Sequence, residues 1–142
     1  MPMELVVIDP RVDPRYTSEL DLRYRLLRAP LGMGRDTVGF LREDAALHVI
    51  AEEAGRVVGC VLFDFASGRL RAMAVDPTQQ RAGLGARLVQ RLEREVEARG
   101  VRTVKLHARA EVVGFYERQG YAVRGEPFIE VGIAHRVMEK TW

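Results

Sequence analysis

The chain has 142 residues, enough for one domain with a full core. It is 47% hydrophobic and 30% charged with a formal net charge of +2, which is ordinary for a globular protein and argues against a basic nucleic-acid stripe. One cysteine, Cys60, excludes an internal disulfide framework. No signal-peptide pattern or long apolar run is present, so a cytoplasmic protein with no membrane segment is expected.

Residues 4–8, Glu-Leu-Val-Val-Ile, predict a first strand that Asp9-Pro10 ends. Asp13 followed by Pro14 is a helix start, with a capping side chain and a proline at the first helical position. The spacing of Tyr16, Leu20, Tyr24 and Leu27 predicts an amphipathic helix over 14–29, stopped by Pro30 and Gly32. A short helix is expected around 36–43. Strands over 46–53 and 57–65 are joined by the hairpin signal Glu53-Ala-Gly-Arg56, and Ser67-Gly68 leads into a third strand over 69–75. These three should form an antiparallel meander.

A helix follows, with Leu84, Leu88, Leu92 and Val96 as its apolar stripe and Gly100 as its C-terminal stop. Val101–Ala108 reads as a strand, so the strand, helix and strand imply a parallel pair. Residues 111–119 look helical and end at Gly120, and 121–124 and 132–139 look like closing strands. The expected whole is a single α/β domain over 1–142, with a mixed central sheet of about six or seven strands and flanking helices.

The stretch that carries chemistry is Gln80-x-x-Gly83-x-Gly85-Ala86, between a strand and a helix. Glycines there leave backbone N–H groups bare, and the first turn of a helix presents unpaired N–H groups and a positive dipole end to an anion. By itself the pattern fits equally a glycine-loosened helix start without a ligand. A P-loop would need Gly-Lys-Ser/Thr, which is absent. A Rossmann turn would need a third glycine where Leu88 stands.

With Phe115-Tyr116-Glu-Arg-Gln-Gly120-Tyr121 downstream, the segment resembles motifs A and B of the GNAT superfamily of acetyl-CoA-dependent N-acetyltransferases, in order and in spacing. The resemblance covers most of the chain. The runs Arg71-x-Met-Ala-Val75, Leu106-His-Ala-Arg109 and Phe128–His135 look like a small bacterial branch of it. It implies a V-shaped splay between the strands at 69–75 and 101–108. Acetyl-CoA would lie there as co-substrate, on Met73, Ala74 and Val75. Its pyrophosphate would meet Gln80, Arg81, Ala82, Gly83, Leu84, Gly85 and Ala86. A backbone N–H near Met73 would meet the thioester oxygen.

The resemblance further implies that the acetyl group passes directly to a primary amine and that Tyr116 protonates the leaving thiolate. On its own, Tyr116 reads first as a packing tyrosine, since aromatics are mostly core. Glu130, His135 and His107 are the candidates for the base that deprotonates the amine. Arg28, His107, Arg109, Glu130 and His135 are expected on the acceptor side. Arg109 departs from the family, where asparagine is common. A homodimer would suit the resemblance; nucleic acid and membrane are not expected partners. The alternative is a CoA-binding sensor or interaction module without turnover. Three histidines and one cysteine without ligand spacing give no metal site, His48 has no partner pattern, and Cys60 reads as a small core residue.

Overall fold

The computed structural model describes residues 3–142, apart from the side chains of Arg81 and Ala82. Seven strands form one mixed sheet: β1 (Glu4–Ile8), β2 (Leu47–Glu53), β3 (Arg56–Asp64), β4 (Arg69–Val75), β5 (Thr103–Arg109), β6 (Ala122–Glu130) and β7 (Ile133–Thr141). Their spatial order is β1-β2-β3-β4-β5-β7-β6. The three α-helices are α1 (Tyr16–Arg23), α2 (Leu84–Glu97) and α3 (Val113–Arg118). Two clusters of buried apolar side chains flank the sheet. One gathers Leu84, Leu88, Leu92 and Val96 of α2 on Val104 and Leu106; the other gathers Leu22 of α1 on Ile50, Cys60 and Leu62.

The expected splay is present. β4 and β5 are parallel and meet at one residue pair, Arg69 with Lys105, where the Lys105 N–H donates to the Gly68 carbonyl at 3.0 Å. A bulge lies just beyond. Between the pairs Arg71–Leu62 and Ala74–Cys60, two residues of β4, Ala72 and Met73, stand opposite one of β3, Val61, and Ala72 takes the left-handed conformation at φ 55°. That conformation costs a non-glycine residue about 1 kcal/mol, and the bulge turns the strand away from its neighbour.

Several expected boundaries differ. Over 14–29 the α-helix ends at Arg23, a π turn runs over Tyr24–Arg28 and a 3-10 turn over Ala29–Leu31, before left-handed Gly32 closes the run. Asp13 does not cap α1; its side chain accepts the Arg15 N–H at 3.0 Å in the turn before the helix. The short helix expected around 36–43 is two 3-10 turns, Arg35–Thr37 and Glu43–Ala45. The last two strands are longer than expected. Pro127 lies in β6, an edge strand whose register with β7 shifts between Arg124 and Phe128. An edge tolerates a residue that cannot donate.

The inner face of α1 is the largest surprise. Its buried residues are Glu19, Leu22 and Arg23, not a fully apolar stripe. The Arg23 guanidinium donates to Glu19 Oε2, to both Glu43 oxygens and to the Val38 carbonyl at 2.7–2.9 Å, and Tyr16 donates to Glu43. His48, also fully buried, lies 2.9 Å from Glu19 Oε1 through Nδ1 and 2.9 Å from the Glu43 carbonyl through Nε2. Two acceptors call for two ring donors, the imidazolium form. Burial opposes that charge, but the bonds to Glu19 and Glu43 outweigh it and raise the His48 pKa above its ordinary 6.5. Burial alone would raise Glu43; the bonds from Arg23 and Tyr16 lower it below its ordinary 4.5.

These shifts set a stability profile. The Glu43 contribution is complete above about pH 4.5 and is lost as pH falls through the lowered folded value. The His48 contribution is complete below about pH 6.5 and is lost as pH rises through the raised folded value. Urea unfolding across pH should therefore show stability highest between those limits. His48→Gln should remove the decline on the alkaline side; a decline that survives the substitution assigns it to other groups.

Candidate active site

Residues opposite one another across an antiparallel pair share a face of the sheet. Arg71 lies opposite Leu62, which belongs to the α1-side cluster. Arg69, two residues earlier, shares that face. On β5, Val104, Leu106 and Ala108 pack on the α2 side, so His107 and Arg109 face α1. His135 is opposite both Arg109 and Phe128, and Glu130 follows two residues after Phe128. These polar residues line a cleft of about 450 Å³ that also takes in Met73, Val75, Phe115 and Tyr116 from the α2 side. The gap between β4 and β5 thus joins the two faces of the sheet, within the size range of small-molecule sites.

Backbone orientation alternates along β4. The Ala72 carbonyl accepts from Cys60 Sγ at 3.3 Å and the Asp76 N–H donates to the Val58 carbonyl at 2.8 Å, both towards β3. Residues between them at odd positions, Met73 and Val75, therefore turn their peptide groups towards the gap. Ala74, paired with Cys60, turns its own towards β3 and buries its methyl, so of the three residues expected on the cofactor its peptide faces away from the gap. Gln80 bonds within the protein, its side-chain amide donating to the Val75 carbonyl at 3.1 Å.

A 3-10 turn over Pro77–Ala82 leads to α2, and the Asp76 carboxylate caps it by accepting the Thr78 N–H. Gly83 has φ 72°, a conformation other residues rarely adopt, and a Cβ there would meet only open space. Gly85 serves differently: a Cβ would lie 3.2 Å from Phe115 Cζ, so its bareness lets α2 approach the aromatic pair Phe115–Tyr116. The Arg87 N–H donates to the Gly83 carbonyl at 3.2 Å. Leu84, Gly85 and Ala86 form the turn before it, the positive end of the helix. The Leu84 side chain is fully buried in the core. The expectations for Arg81 and Ala82 lie outside the described residues.

Tyr116 is 6% exposed and stacks edge-on against Phe115 and Tyr121, with ring centroids 5.0 and 5.8 Å away. Burial pushes its phenol well above the ordinary 10.0, so it stays protonated.

The three candidate bases separate by their partners. His107 Nδ1 sits 2.7 Å from Glu130 Oε2 and 3.0 Å from Arg69 Nη2. A guanidinium only donates and a carboxylate only accepts, so Nδ1 satisfies one of them at a time. Burial would raise Glu130, but the bond from His107, with the charges of His107 and Arg69, lowers its pKa below 4.5. His135 Nδ1 donates to the Ile133 carbonyl at 2.7 Å. In the neutral ring that bond leaves the lone pair on Nε2. Glu130 and His135 do not bond each other. Arg28 donates to the Thr37 and Leu27 carbonyls at the cleft wall, and Arg109 lines the cleft with no carboxylate within 4.0 Å among the described residues.

Residues 37–142 match the profile of the acetyltransferase (GNAT) domain. The chain belongs to the acetyltransferase (GNAT) family. An inferred acetyltransferase of Bacillus subtilis (strain 168) is 36% identical over 74 residues, 52% of this chain and 50% of that protein. The chain spans about half the length of the curated relatives it matches. Among solved structures, an acyl-CoA N-acyltransferase from Pseudomonas aeruginosa superposes with a TM-score of 0.80 at 18% identity, over 99% of this chain and 100% of its own. An aminoglycoside 6'-N-acetyltransferase complexed with coenzyme A superposes with a TM-score of 0.76 at 20% identity, over 99% and 97%. At such identities these likenesses establish the fold.

In this GNAT domain two features escaped the sequence. Arg69 and Arg71 enter the cleft, and their alternation with Leu70 would have placed them on one polar face. Glu19 and His48 were not legible as partners because they are 29 residues apart, although Glu19 and Arg23 have the spacing of a helical ion pair. The stretch between the two expected closing strands, 125–131, is mostly β6. Its reversal is confined to Val131 and Gly132, both at positive φ.

Proposed function

We propose that this domain transfers an acetyl group from acetyl-CoA directly to a primary amine. The observation that carries this is the parting of β4 from β5 after one residue pair, which leaves the Met73 and Val75 peptides facing a gap that ends at the bare start of α2. The Met73 and Val75 peptides take the pantetheine arm as an added strand would. Gly83, Leu84, Gly85 and Ala86 receive the pyrophosphate at the helix start. The Met73 N–H meets the thioester oxygen as charge develops on it.

His135 Nε2 takes the proton of the amine, directly or through water. The amine nitrogen then forms its bond to the acetyl carbon, the carbon–sulfur bond breaks, Tyr116 supplies a proton to the sulfur, and the proton that the new amide nitrogen still has to lose restores the Tyr116 phenol. A buried phenol is a weak acid, but a thiolate leaving into the same buried cleft is a correspondingly strong base. Glu130, held ionised, keeps His107 oriented at the acceptor side, with Arg28 and Arg109 beside it.

Calorimetry with acetyl-CoA and a thiol-release assay over a panel of amines test this. Binding with release of one thiol per acetylated amine is expected; binding without release on any amine would leave a sensor. Gly83→Val should weaken acetyl-CoA binding by about 100-fold, since two lost charge-assisted bonds at ~1.5 kcal/mol each amount to that. Unchanged binding would move the pyrophosphate elsewhere.

A further inference from the structure

We infer that the acceptor amine also carries an acidic group, a carboxylate or a phosphate, which docks among Arg28, Arg69, Arg71 and Arg109. The inference rests on the acetyl transfer proposed above and narrows its acceptor. The four guanidiniums come from three separate places, the π turn after α1, β4 and β5, and all line the one cleft. Arg69, Arg71 and Arg109 project from the α1 face of the sheet, the face that also bears His107, Glu130 and His135.

The cleft neutralises these charges only in part, through the pairing of Asp64 with Arg71. Asp64 lies 3.6 Å from Arg71, Glu130 is bonded to His107, and Glu111 also lines the cleft without pairing with any of the four arginines within 4.0 Å. Among the described residues no carboxylate lies within 4.0 Å of Arg28, Arg69 or Arg109. Arg23 also reaches the cleft wall, but Glu19 and Glu43 hold it. Arg69 is left with a buried Nε that has no hydrogen-bond partner. Burial and the neighbouring guanidiniums lower the pKa of both Arg28 and Arg69. A half-buried group of like charges is unfavourable until a counter-ion arrives.

The phosphates of acetyl-CoA are poorly placed to be that counter-ion. From Arg71 to Val75, where the chain leaves β4 for the glycine loop, is four residues, about 13 Å of strand. The positive potential also bears on the reacting amine. It disfavours an ammonium and so eases proton loss to His135, and it repels polycationic acceptors. Arginine's planar fork suits a carboxylate or phosphate in two-point contact.

The test is thiol release at saturating acetyl-CoA with matched amines: β-alanine against β-alaninamide, phenylalanine against phenylalaninamide, and phosphoethanolamine against ethanolamine, with spermidine as the polycation. At least one acidic member should exceed its neutral partner in kcat/KM by about 10-fold or more, the value of one charge-assisted bond. Which pair responds distinguishes carboxylate from phosphate. Arg71→Gln and Arg109→Gln should narrow that gap through KM, and Arg109→Lys should restore part of it. Neutral amines or spermidine turned over as well as the acids would overturn the inference and leave acetyl transfer standing. The same pairs titrated calorimetrically into CoA-saturated protein separate the two claims. An acid that binds without being acetylated keeps the anion site and removes the transfer; CoA bound with no preference for any acid removes the anion site.

Discussion

Tyr116→Phe should lower kcat by about 10²–10⁴-fold, the usual contribution of a positioned acid, and should barely change the affinity for acetyl-CoA. The substitution removes one oxygen and keeps the ring. Phe115 and Tyr121 therefore retain their edge-on partner, and the 6% exposure of the site leaves little room for solvent to substitute. The phenol lacks a protein acceptor among the described residues, so its loss leaves no buried group unsatisfied and the fold should be nearly as stable. Measured together, kcat, acetyl-CoA Kd and melting temperature separate chemistry from packing. A variant with wild-type kcat at every pH would leave Tyr116 as a packing residue, and the leaving sulfur would then take its proton from solvent or from the amine.

The second large effect concerns His135. His135→Gln should cut kcat/KM by a similar factor, about 10²–10⁴, and change the shape of the pH profile. A base works only when unprotonated, so the wild-type rate rises with pH on the acid side, and the glutamine variant loses that rise. Glutamine can still reach the Ile133 carbonyl that holds Nδ1 in the native protein, which limits structural damage. Glu130→Gln serves as the control. Glu130 is already ionised by its bond from His107, so its removal should affect KM more than the acid limb. If Glu130→Gln instead abolishes the acid limb and His135→Gln leaves it, the roles are exchanged.

Much of the fold could be read from local pattern. Period-two alternation over 69–75 and 101–108, the hairpin signal at Ala54-Gly55 and the 3.6-residue stripe of Leu84, Leu88, Leu92 and Val96 each report burial on one face of one element. The glycine loop was legible for a related reason. Gly83 is required by its own φ, a property of one residue and its neighbours. Where a charged residue lies inside, local pattern misleads. Glu19 and Arg23 stand outside the apolar stripe expected from Tyr16, Leu20, Tyr24 and Leu27, and only the approach of Glu43 and His48, from other parts of the chain, makes them a core.

The site shows the same division. The sequence by itself determined that a strand, a bare loop and a helix start come together, because those are consecutive in the chain, and that Tyr116 follows on a later helix. It also nominated His107, Arg109, Glu130 and His135. It could not rank them, because the state of an imidazole depends on what each ring nitrogen touches, and those partners come from distant strands. Tertiary structure decided that Ile133 fixes the His135 tautomer, that Arg69 and Glu130 compete for His107, and that four arginines from three elements share one cleft with too few carboxylates to balance them. Charge balance and proton placement are sums over everything nearby in space, so they exist only once the chain has folded.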